Sequence, residues 1–312
     1  MTLLKIFNSI QSFQSNQKTI VTIGTFDGVH MGHKKILERI SKRAIAMNCE
    51  SLALTFFPHP RMVLQHDTSI KLLNTLEEKI KLLEQLGLDN LIIHPFDKEF
   101  SQLSAEDFVK KILVDQLHVQ KIVIGYDHRF GRNRTADISD LIQFGLKYNF
   151  EIEEISAEEI NDIAVSSTKI RNALMDGEIE TAADYLGYRY SLTGKVVKGK
   201  QLGRTIGFPT ANIEVDETYK LIPKNGVYIV SSVLENQLVY GIMNIGNRPT
   251  LNGESQTIEV HFLHFNQDLY DQNIEIVFIK YIREEVKFNS LEDLKKQISK
   301  DQSFAIDFIS KL

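Results

Sequence analysis

The sequence contains a single cysteine, Cys49, among its 312 residues. One thiol excludes an internal disulfide framework and any metal site built from several cysteines, and it suits a reducing compartment. Long apolar runs are also missing, since none approaches the ~20 residues that a membrane-spanning helix needs. The N-terminal stretch lacks the basic and apolar regions of a signal peptide. We therefore expect an unexported protein with no membrane partner, located in the cytoplasm.

Positive charge is not in excess, because 36 lysines and arginines face 41 aspartates and glutamates, a net charge of −5. This balance argues against broad nucleic-acid binding, which needs a basic face that neutralises many phosphates. Local basic clusters can still hold a small anionic ligand. Hydrophobic residues make up 43% of the chain, an ordinary globular share, and the length favours two medium domains over one large domain.

From residue 18 to about 176, short apolar runs alternate with segments of helical period, which is typical of βαβ units. Strands that are apolar on both sides predict a parallel sheet covered on both faces, hence a doubly wound α/β domain. Its ligand crevice is expected at the carboxyl ends of the strands. The predicted strands are Thr19–Ile23, Leu52–Phe56, Asn90–His94, Lys121–Ile124 and Phe150–Ile155, and the first helix should pack through Ile36, Leu37, Ile40, Ala44 and Met47.

After Gly187 the pattern changes to closely spaced strands joined by turn residues, which predicts an antiparallel sheet or small barrel. The predicted strands are Tyr190–Lys198, Gly226–Leu234, Gln237–Asn244, Thr257–Phe265 and Ile274–Ile282. Two short helices are predicted to follow, one containing Leu291, Leu294 and Ile298, the other opening at Asp301 and containing Phe304, Phe308 and Ile309. A helical stretch at Thr181–Leu186 separates the halves. We place the boundary between domains of residues 1–184 and 185–312.

Residues 26–33 read FDGVHMGH, where the first strand ends and the first helix begins. Backbone N–H groups at a helix start attract anions, and Gly32 lets a phosphate approach the backbone. His30 and His33 can both donate to one phosphate. From the residues alone three interpretations stay open: a phosphate clamp, a zinc site completed by His59 and His128, or helix-capping histidines without a ligand.

The string GTFDGVHMGH resembles the His-x-Gly-His signature of the nucleotidyltransferase superfamily. Its FDGVHxGH form resembles the adenylyltransferase module of the prokaryotic bifunctional FAD synthetase family. Residues 57–60, FPHP, are similar to that family's FxPHP segment, and residues 166–171, SSTKIR, to its SSTxxR element. Residues 124–131, IGYDHRFG, resemble its VGxDFRFG segment, with His128 where the family has phenylalanine.

The resemblance implies direct attack by a phosphate oxygen of FMN on the α-phosphorus of ATP, which expels pyrophosphate and gives FAD. No protein nucleophile is required, so positioning and charge neutralisation carry the catalysis. His30, His33 and Arg171 are implied as catalytic residues that share the developing negative charge with Mg²⁺. The implied ligand-binding residues of this half are Gly24, Phe26, Asp27, Gly28, Gly32, Asp127, Arg129, Phe130, Gly131, Ser166, Ser167 and Thr168.

Residues 194–200, GKVVKGK, nearly spell a P-loop in the second half of the chain. Gln201 replaces the serine or threonine that should bind Mg²⁺, and the following GRTIGFP cannot open a helix, so the P-loop context is missing. A glycine-rich loop before a strand can still cover phosphates with its backbone amides.

Residues 207–213, GFPTANI, resemble the GxPTAN signature of riboflavin kinase, and MNIGNRPT, TIEVH and IREEVKF follow in that family's order. The resemblance implies a six-stranded antiparallel barrel that phosphorylates riboflavin with ATP to FMN. Thr210 and Asn212 are implied as Mg²⁺ ligands, since both offer oxygen donors. Glu259 is implied as the general base for the ribityl hydroxyl. Gly203, Arg204, Gly207, Asn212 and Arg283 are implied to bind flavin or nucleotide.

The predicted architecture is therefore a doubly wound, Rossmann-like nucleotidyltransferase domain followed by a riboflavin kinase barrel. Two other functions are compatible with part of the sequence: adenylyl transfer to another phosphorylated acceptor, and flavin binding without chemistry. The PTAN segment and Glu259 disfavour both. The expected partners are riboflavin, FMN and ATP, and the sequence pattern predicts no oligomeric state.

Overall fold

The computed structural model describes residues 3–64, 70–126, 128–156, 159, 165–199, 203, 207–250 and 253–312, without the side chains of residues 134, 248–250 and 253–255. Two compact units divide the chain between Ser167 and Thr168. In the described part of the chain, no helix has the length and hydropathy that crossing a membrane requires.

A six-stranded parallel sheet forms the centre of the N-terminal unit, in the order β1-β4-β3-β2-β5-β6. The chain passes from β2 outward through β3 and β4, then returns to β5 on the other side of β2. The strand order thus reverses between β2 and β5, where a doubly wound sheet opens its ligand crevice. The strands are β1 (Lys5–Phe7), β2 (Thr19–Ile23), β3 (Glu50–Phe57), β4 (Asn90–Pro95), β5 (Val119–Gly125) and β6 (Glu151–Ile155).

Helices cover both faces of this sheet, which confirms the doubly wound prediction. Alternation along the strands explains it: in β2, Ile20 packs with Leu37 and Ile40 of the first helix, whereas Val21 belongs to the core on the opposite face. The helices are α1 (Met31–Met47), α2 (Pro60–Leu64), α3 (Leu76–Glu84), α4 (Lys98–Ser101), α5 (Ala105–Asp107) and α6 (Ile138–Tyr148), with a π-helix at Phe108–Val114 and 3-10 turns at Ile10–Ser12 and Arg132–Arg134.

The C-terminal unit contains a closed six-stranded antiparallel barrel, which confirms the barrel that the resemblance to riboflavin kinase implies. Its order is β10-β11-β8-β7-β12-β9, and pairing of β9 with β10 closes the ring. Residues 194–197 of the P-loop-like run lie inside a strand of this barrel. The strands are β7 (Ser191–Val197), β8 (Ala211–Glu214), β9 (Gly226–Leu234), β10 (Gln237–Thr250), β11 (Gly253–Phe262) and β12 (Asn273–Arg283).

Three helices of the described residues join the barrel: α7 (Ser167–Asp176), α8 (Ile179–Leu186) and α9 (Leu291–Ile309). The prediction of two short closing helices is wrong, because α9 runs unbroken for 19 residues. Asp301 suggested a second helix start, but its carboxylate bonds to Arg283 and Gln297 instead of capping a new helix. Ala305 packs α9 against Val227 and Ile229 of β9.

Candidate active sites

The first candidate site lies where β2 ends and α1 begins. His30 is the N-cap residue of α1, and its ring Nδ1 accepts a hydrogen bond of 3.4 Å from the His33 N–H. A ring nitrogen that accepts carries no proton, so the proton of the neutral ring is on Nε2, which can donate to a ligand. Gly32 is buried in the same first turn. The capping alternative and the phosphate alternative therefore use different nitrogens of one ring.

The rings of His30 and His33 stack, with centroids 3.6 Å apart and planes at 17°. We call these two residues the histidine pair. Phe26 meets the His33 ring edge-on at 5.3 Å and is itself buried. The spacing of three residues predicted that both histidines reach one spot, and the structure places them in direct contact.

Both rings of the histidine pair are uncharged at neutral pH. Burial lowers the pKa of His30 to about 4, and its own backbone hydrogen bond opposes this only in part. Burial also lowers the pKa of His33 well below its usual value, and the charges of His30 and Lys79 lower it further. The pair therefore offers neutral N–H donors, and the attraction for an anion comes from the N-terminus of α1.

The turn between β2 and α1 has an unusual backbone. Phe26, Gly28 and Val29 have φ angles of 46°, 87° and 36°, in the left-handed region. Glycine adopts this region without penalty, whereas phenylalanine and a β-branched valine do so only when surrounding contacts hold them. A side chain on Gly24 would approach the Phe26 ring to 3.0 Å. Asp27 is buried in this turn, and its carboxylate accepts the Leu73 N–H at 2.9 Å.

The serine-rich element meets this turn through Ser167, the first residue of α7. Its hydroxyl donates a 2.9 Å hydrogen bond to the Asp27 carbonyl, so two segments that lie 140 residues apart in sequence are joined. Ser166 and Thr168 are exposed. Arg171 lies one turn further along α7, within the second unit, and its role beside the histidine pair stays a prediction.

The segment after β5 belongs to the same carboxyl edge of the sheet. Phe130 is buried in the core beside Phe108 and exchanges backbone hydrogen bonds with Ala136. The His128 ring lies parallel to the Phe130 ring, with centroids 6.2 Å apart, so it keeps an aromatic contact although the family has phenylalanine there. Arg129 is exposed and Gly131 half-buried. The prediction for Asp127 lies outside the described residues.

A metal-binding interpretation of these histidines receives no support from their neighbours. Across the described ranges, no three histidine, cysteine, aspartate or glutamate side chains form a group that could hold a metal ion. The His59 ring instead accepts a hydrogen bond from the Arg61 N–H.

The second candidate site lies on β8 and β11 of the barrel. Cross-strand register places Glu259 opposite Asn212 on one side and Asn244 on the other. The Thr210 hydroxyl donates to the Glu259 carboxylate at 3.4 Å. The predicted pair of metal ligands and the predicted general base thus meet across two strands that lie about 50 residues apart in sequence.

Two neighbouring segments bring backbone close to this group. Gly199 lies against the Asn212 amide so closely that any side chain at position 199 would overlap it. A larger residue at this position would have to displace the Asn212 amide. The His261 ring nitrogen Nδ1 bonds to the Pro209 carbonyl at 2.8 Å, which ties the PTAN segment to β11. Gly203 is half-buried and Gly207 exposed, and the prediction for Arg204 lies outside the described residues.

Arg283 is engaged within the protein. Its guanidinium Nε and Nη2 atoms donate to the Asp301 carboxylate, at 3.0 Å and 2.7 Å, and Nη1 donates to the Glu284 carbonyl. Asp301 is 4% exposed, so the pair is partly shielded from water. The guanidinium is thus held in a salt bridge, and its contact with flavin or nucleotide stays a prediction.

Comparison with known proteins shows which family the chain belongs to. A family model described as FAD synthetase matches residues 12–169, and one described as riboflavin kinase matches residues 186–309. A bifunctional riboflavin kinase/FMN adenylyltransferase from Buchnera aphidicola subsp. Schizaphis graminum is 40% identical over 305 residues, 96% of each chain. The chain belongs to the bifunctional riboflavin kinase/FMN adenylyltransferase family.

Other relatives agree with this family. The proteins of the same name from Escherichia coli strain K12 and Listeria monocytogenes are each 37% identical and span 93% and 94% of this chain, and 92% and 93% of their own. A solved structure described as a macrolide-efflux protein from Streptococcus pneumoniae is 27% identical, with a TM-score of 0.88 over 97% of this chain and 98% of that one. Its description applies to that protein and is not transferred to this member of the flavin enzyme family.

Two buried charges of this family member were missed by the sequence reasoning. Lys79 on α3 and Asp301 on α9 each contact a predicted site segment and are 3% and 4% exposed. A signal existed for Lys79, which falls three residues after Leu76 and four before Leu83, on the apolar stripe of α3. A charged residue on such a stripe needs a buried partner.

Proposed function

We propose that the chain catalyses two successive reactions of flavin cofactor synthesis. In the first, riboflavin takes the γ-phosphoryl group of ATP and becomes FMN. In the second, FMN takes the adenylyl group of another ATP and becomes FAD, with release of pyrophosphate. The observation that carries this proposal is the order of the two family matches, FAD synthetase at 12–169 and riboflavin kinase at 186–309. The curated relative from Buchnera aphidicola, which is similar over 96% of this chain, carries both activities in its name.

We assign adenylyl transfer to a domain of residues 1–184 and phosphorylation to a domain of residues 185–312. The two family models leave residues 170–185 between them, and the proposed boundary falls at the end of that interval. Cytoplasmic location is proposed from the single cysteine, which suits a reducing compartment.

Adenylyl transfer is assigned to the turn after β2 and the start of α1. An oxygen of the FMN phosphate attacks the α-phosphorus of ATP, and the bond to pyrophosphate breaks. His30 donates from Nε2 to the phosphates, because its Nδ1 is occupied by the His33 N–H. His33 and Arg171 are proposed to share the negative charge of the transition state, and the N-terminal dipole of α1 adds to this stabilisation.

Phosphorylation is assigned to the Thr210, Asn212 and Glu259 group. Glu259 acts as general base, and its carboxylate accepts the proton that the ribityl hydroxyl loses. The donors of this group suit Mg²⁺, because a hydroxyl, an amide oxygen and a carboxylate are all hard oxygen ligands. Thr210 and Asn212 would hold the ion. When bound, Mg²⁺ neutralises charge on the transferred phosphoryl group.

One incubation separates this proposal from its alternatives. Purified protein with riboflavin, ATP and Mg²⁺ should produce FMN and then FAD, measured by chromatography of the flavins over time. Pantetheine phosphate and nicotinate mononucleotide, tested in place of FMN, should yield no adenylylated product. Unchanged riboflavin at the end of the incubation would refute the proposal and favour a flavin-binding protein without chemistry.

A further inference from the structure

A buried lysine supports the turn that carries the histidine pair. Lys79 on α3 is 3% exposed, and its ammonium group donates a 2.8 Å hydrogen bond to the Thr25 carbonyl. The Thr55 hydroxyl donates to the same carbonyl at 3.2 Å. Burial of an ammonium group is costly unless partners compensate it, so its presence in the core calls for a specific role.

The counter-charge is Asp27, in the same turn and 1% exposed. Burial lowers the pKa of Lys79, and the charge of Asp27 opposes this shift. Asp27 also accepts the Leu73 N–H through its carboxylate and the Ser167 hydroxyl through its carbonyl. Contacts from β3, α3, α7 and the segment before α3 thus converge on Thr25 and Asp27.

These contacts stabilise the backbone conformation of the turn, which is unfavourable for the turn in isolation. Phe26, Gly28 and Val29 lie between or beside the anchored carbonyls with positive φ, and they lead directly into His30. Residues in such conformations persist only where the surroundings determine them. Among the described residues, Lys79 faces the Asp27 carboxylate of this turn and the neutral His33 ring of α1.

We propose that Lys79 is a positioning residue for adenylyl transfer, which anchors the Thr25 carbonyl and balances Asp27 so that the turn presents the histidine pair to the phosphates. The proposal rests on the adenylyl transfer proposed above. Lys79 does not touch the reacting atoms, and its effect passes through the turn and the rings.

The test is Lys79→Met, which keeps the length and removes the charge and the donor. The matched control is Lys81→Met on the same helix, where the lysine is exposed. FAD formation from supplied FMN should fall about 100-fold in kcat for Lys79→Met, the size expected for misplacement of catalytic groups by about 1 Å. The rate of riboflavin phosphorylation by the same preparation should stay within twofold of the wild-type rate. Lys81→Met should match the wild-type protein in both assays.

A second readout is independent of activity. In the ligand-free protein, ring ¹⁵N–¹H spectra should show shifted His30 and His33 signals in Lys79→Met and unshifted ones in Lys81→Met. Wild-type kcat together with unshifted rings would overturn the proposal. If the wild-type protein makes no FAD, the hypothesis of adenylyl transfer is wrong. The ring spectra still decide whether Lys79 positions the histidine pair.

A folding failure of Lys79→Met is covered by a double variant. Lys79→Met with Asp27→Asn leaves no unpaired buried charge, and the asparagine oxygen can still accept the Leu73 N–H. We expect it to fold and to keep the shifted His30 and His33 ring signals of Lys79→Met, since the anchor on Thr25 is missing. Ring signals at their wild-type positions would contradict the anchoring role.

Discussion

Two neutral imidazoles in the first turn of α1 respond to pH differently from two imidazoles exposed to water. The pKa of His30 lies at about 4, against 6.5 for an ordinary histidine, so between these values the unfolded chain binds a proton that the folded chain does not. The neutral His30 ring therefore contributes its full share to the free energy of unfolding above pH 6.5. This contribution is lost as the pH is lowered toward 4. This lowering of the pKa corresponds to about 3 kcal/mol in the free energy of unfolding.

This pH dependence can be measured on the full chain. Denaturant unfolding, followed through NMR signals of α1 between pH 7 and 4, should show the loss of stability. His30→Asn keeps a good N-cap and removes the titrating ring, so its stability should vary less over this range. Identical pH profiles for the two proteins would contradict the burial of a neutral His30.

The catalytic role of the histidine pair is tested by His33→Ala. Loss of one preorganised donor to developing charge should lower kcat for FAD formation by roughly two to three orders of magnitude. FAD formation is measured from supplied FMN, and phosphorylation of riboflavin by the same sample reports that the chain is folded. Unchanged turnover would remove His33 from the mechanism.

At the scale of residues, motifs predicted which groups meet but not what holds them. His30 and His33 were predicted to reach one spot, and their rings are in contact. Thr210 and Glu259 were given roles in the same reaction, and the structure joins them by a hydrogen bond. Lys79 was missed because its importance comes from burial against Asp27 and Thr25, segments 52 to 54 residues earlier in the chain. Sequence spacing carries no record of such a contact.

Strands long enough to show a repeating pattern of apolar residues were predicted best. The predicted strand Thr19–Ile23 agrees with β2 at both ends, and Gly226–Leu234 agrees with β9. β1 and β8 were missed, because strands of three and four residues are too short to show alternation. In α9, Asp301 was predicted to begin a second helix, but it lies inside one continuous helix and bonds to Arg283 of β12.

That aspartate gives an element-scale prediction about α9 and β12. Asp301→Asn leaves the Arg283 guanidinium, which is partly buried, without its charged partner. We expect a loss of about 3 kcal/mol in the free energy of unfolding, the size seen when one member of a buried pair is removed. Hydrogen exchange of the α9 amides should increase, which would show that the helix has loosened from the barrel.

The same helix offers the control for this measurement. Asp307 pairs with Lys311 at 2.6 Å, and both side chains are more than 60% exposed. Asp307→Asn should change the free energy of unfolding by less than about 0.5 kcal/mol, because exposed pairs contribute little. Equal effects at positions 301 and 307 would mean that the Arg283 pair contributes no more than a surface contact.

At the scale of the whole molecule, the two chemistries are proposed to reside in separate parts of one chain. Glu259→Gln should lower FMN formation by roughly 100- to 10,000-fold, the usual contribution of a general base, while FAD formation from supplied FMN persists. Glu214→Gln, on the exposed face of β8, is the control and should leave both reactions unchanged. Equal loss of both reactions in Glu259→Gln would show that the two chemistries depend on each other.

The strand pairings also set an order for folding during synthesis. Every partner in the parallel sheet lies at or before Ile155, whereas the barrel cannot close until β12, ending at Arg283, pairs with β7 and β9. At about 5–20 residues per second, translation of the intervening 128 residues takes roughly 6 to 26 s. A nascent chain on the ribosome can thus complete the nucleotide-binding sheet while the barrel that supplies its FMN is still unfinished.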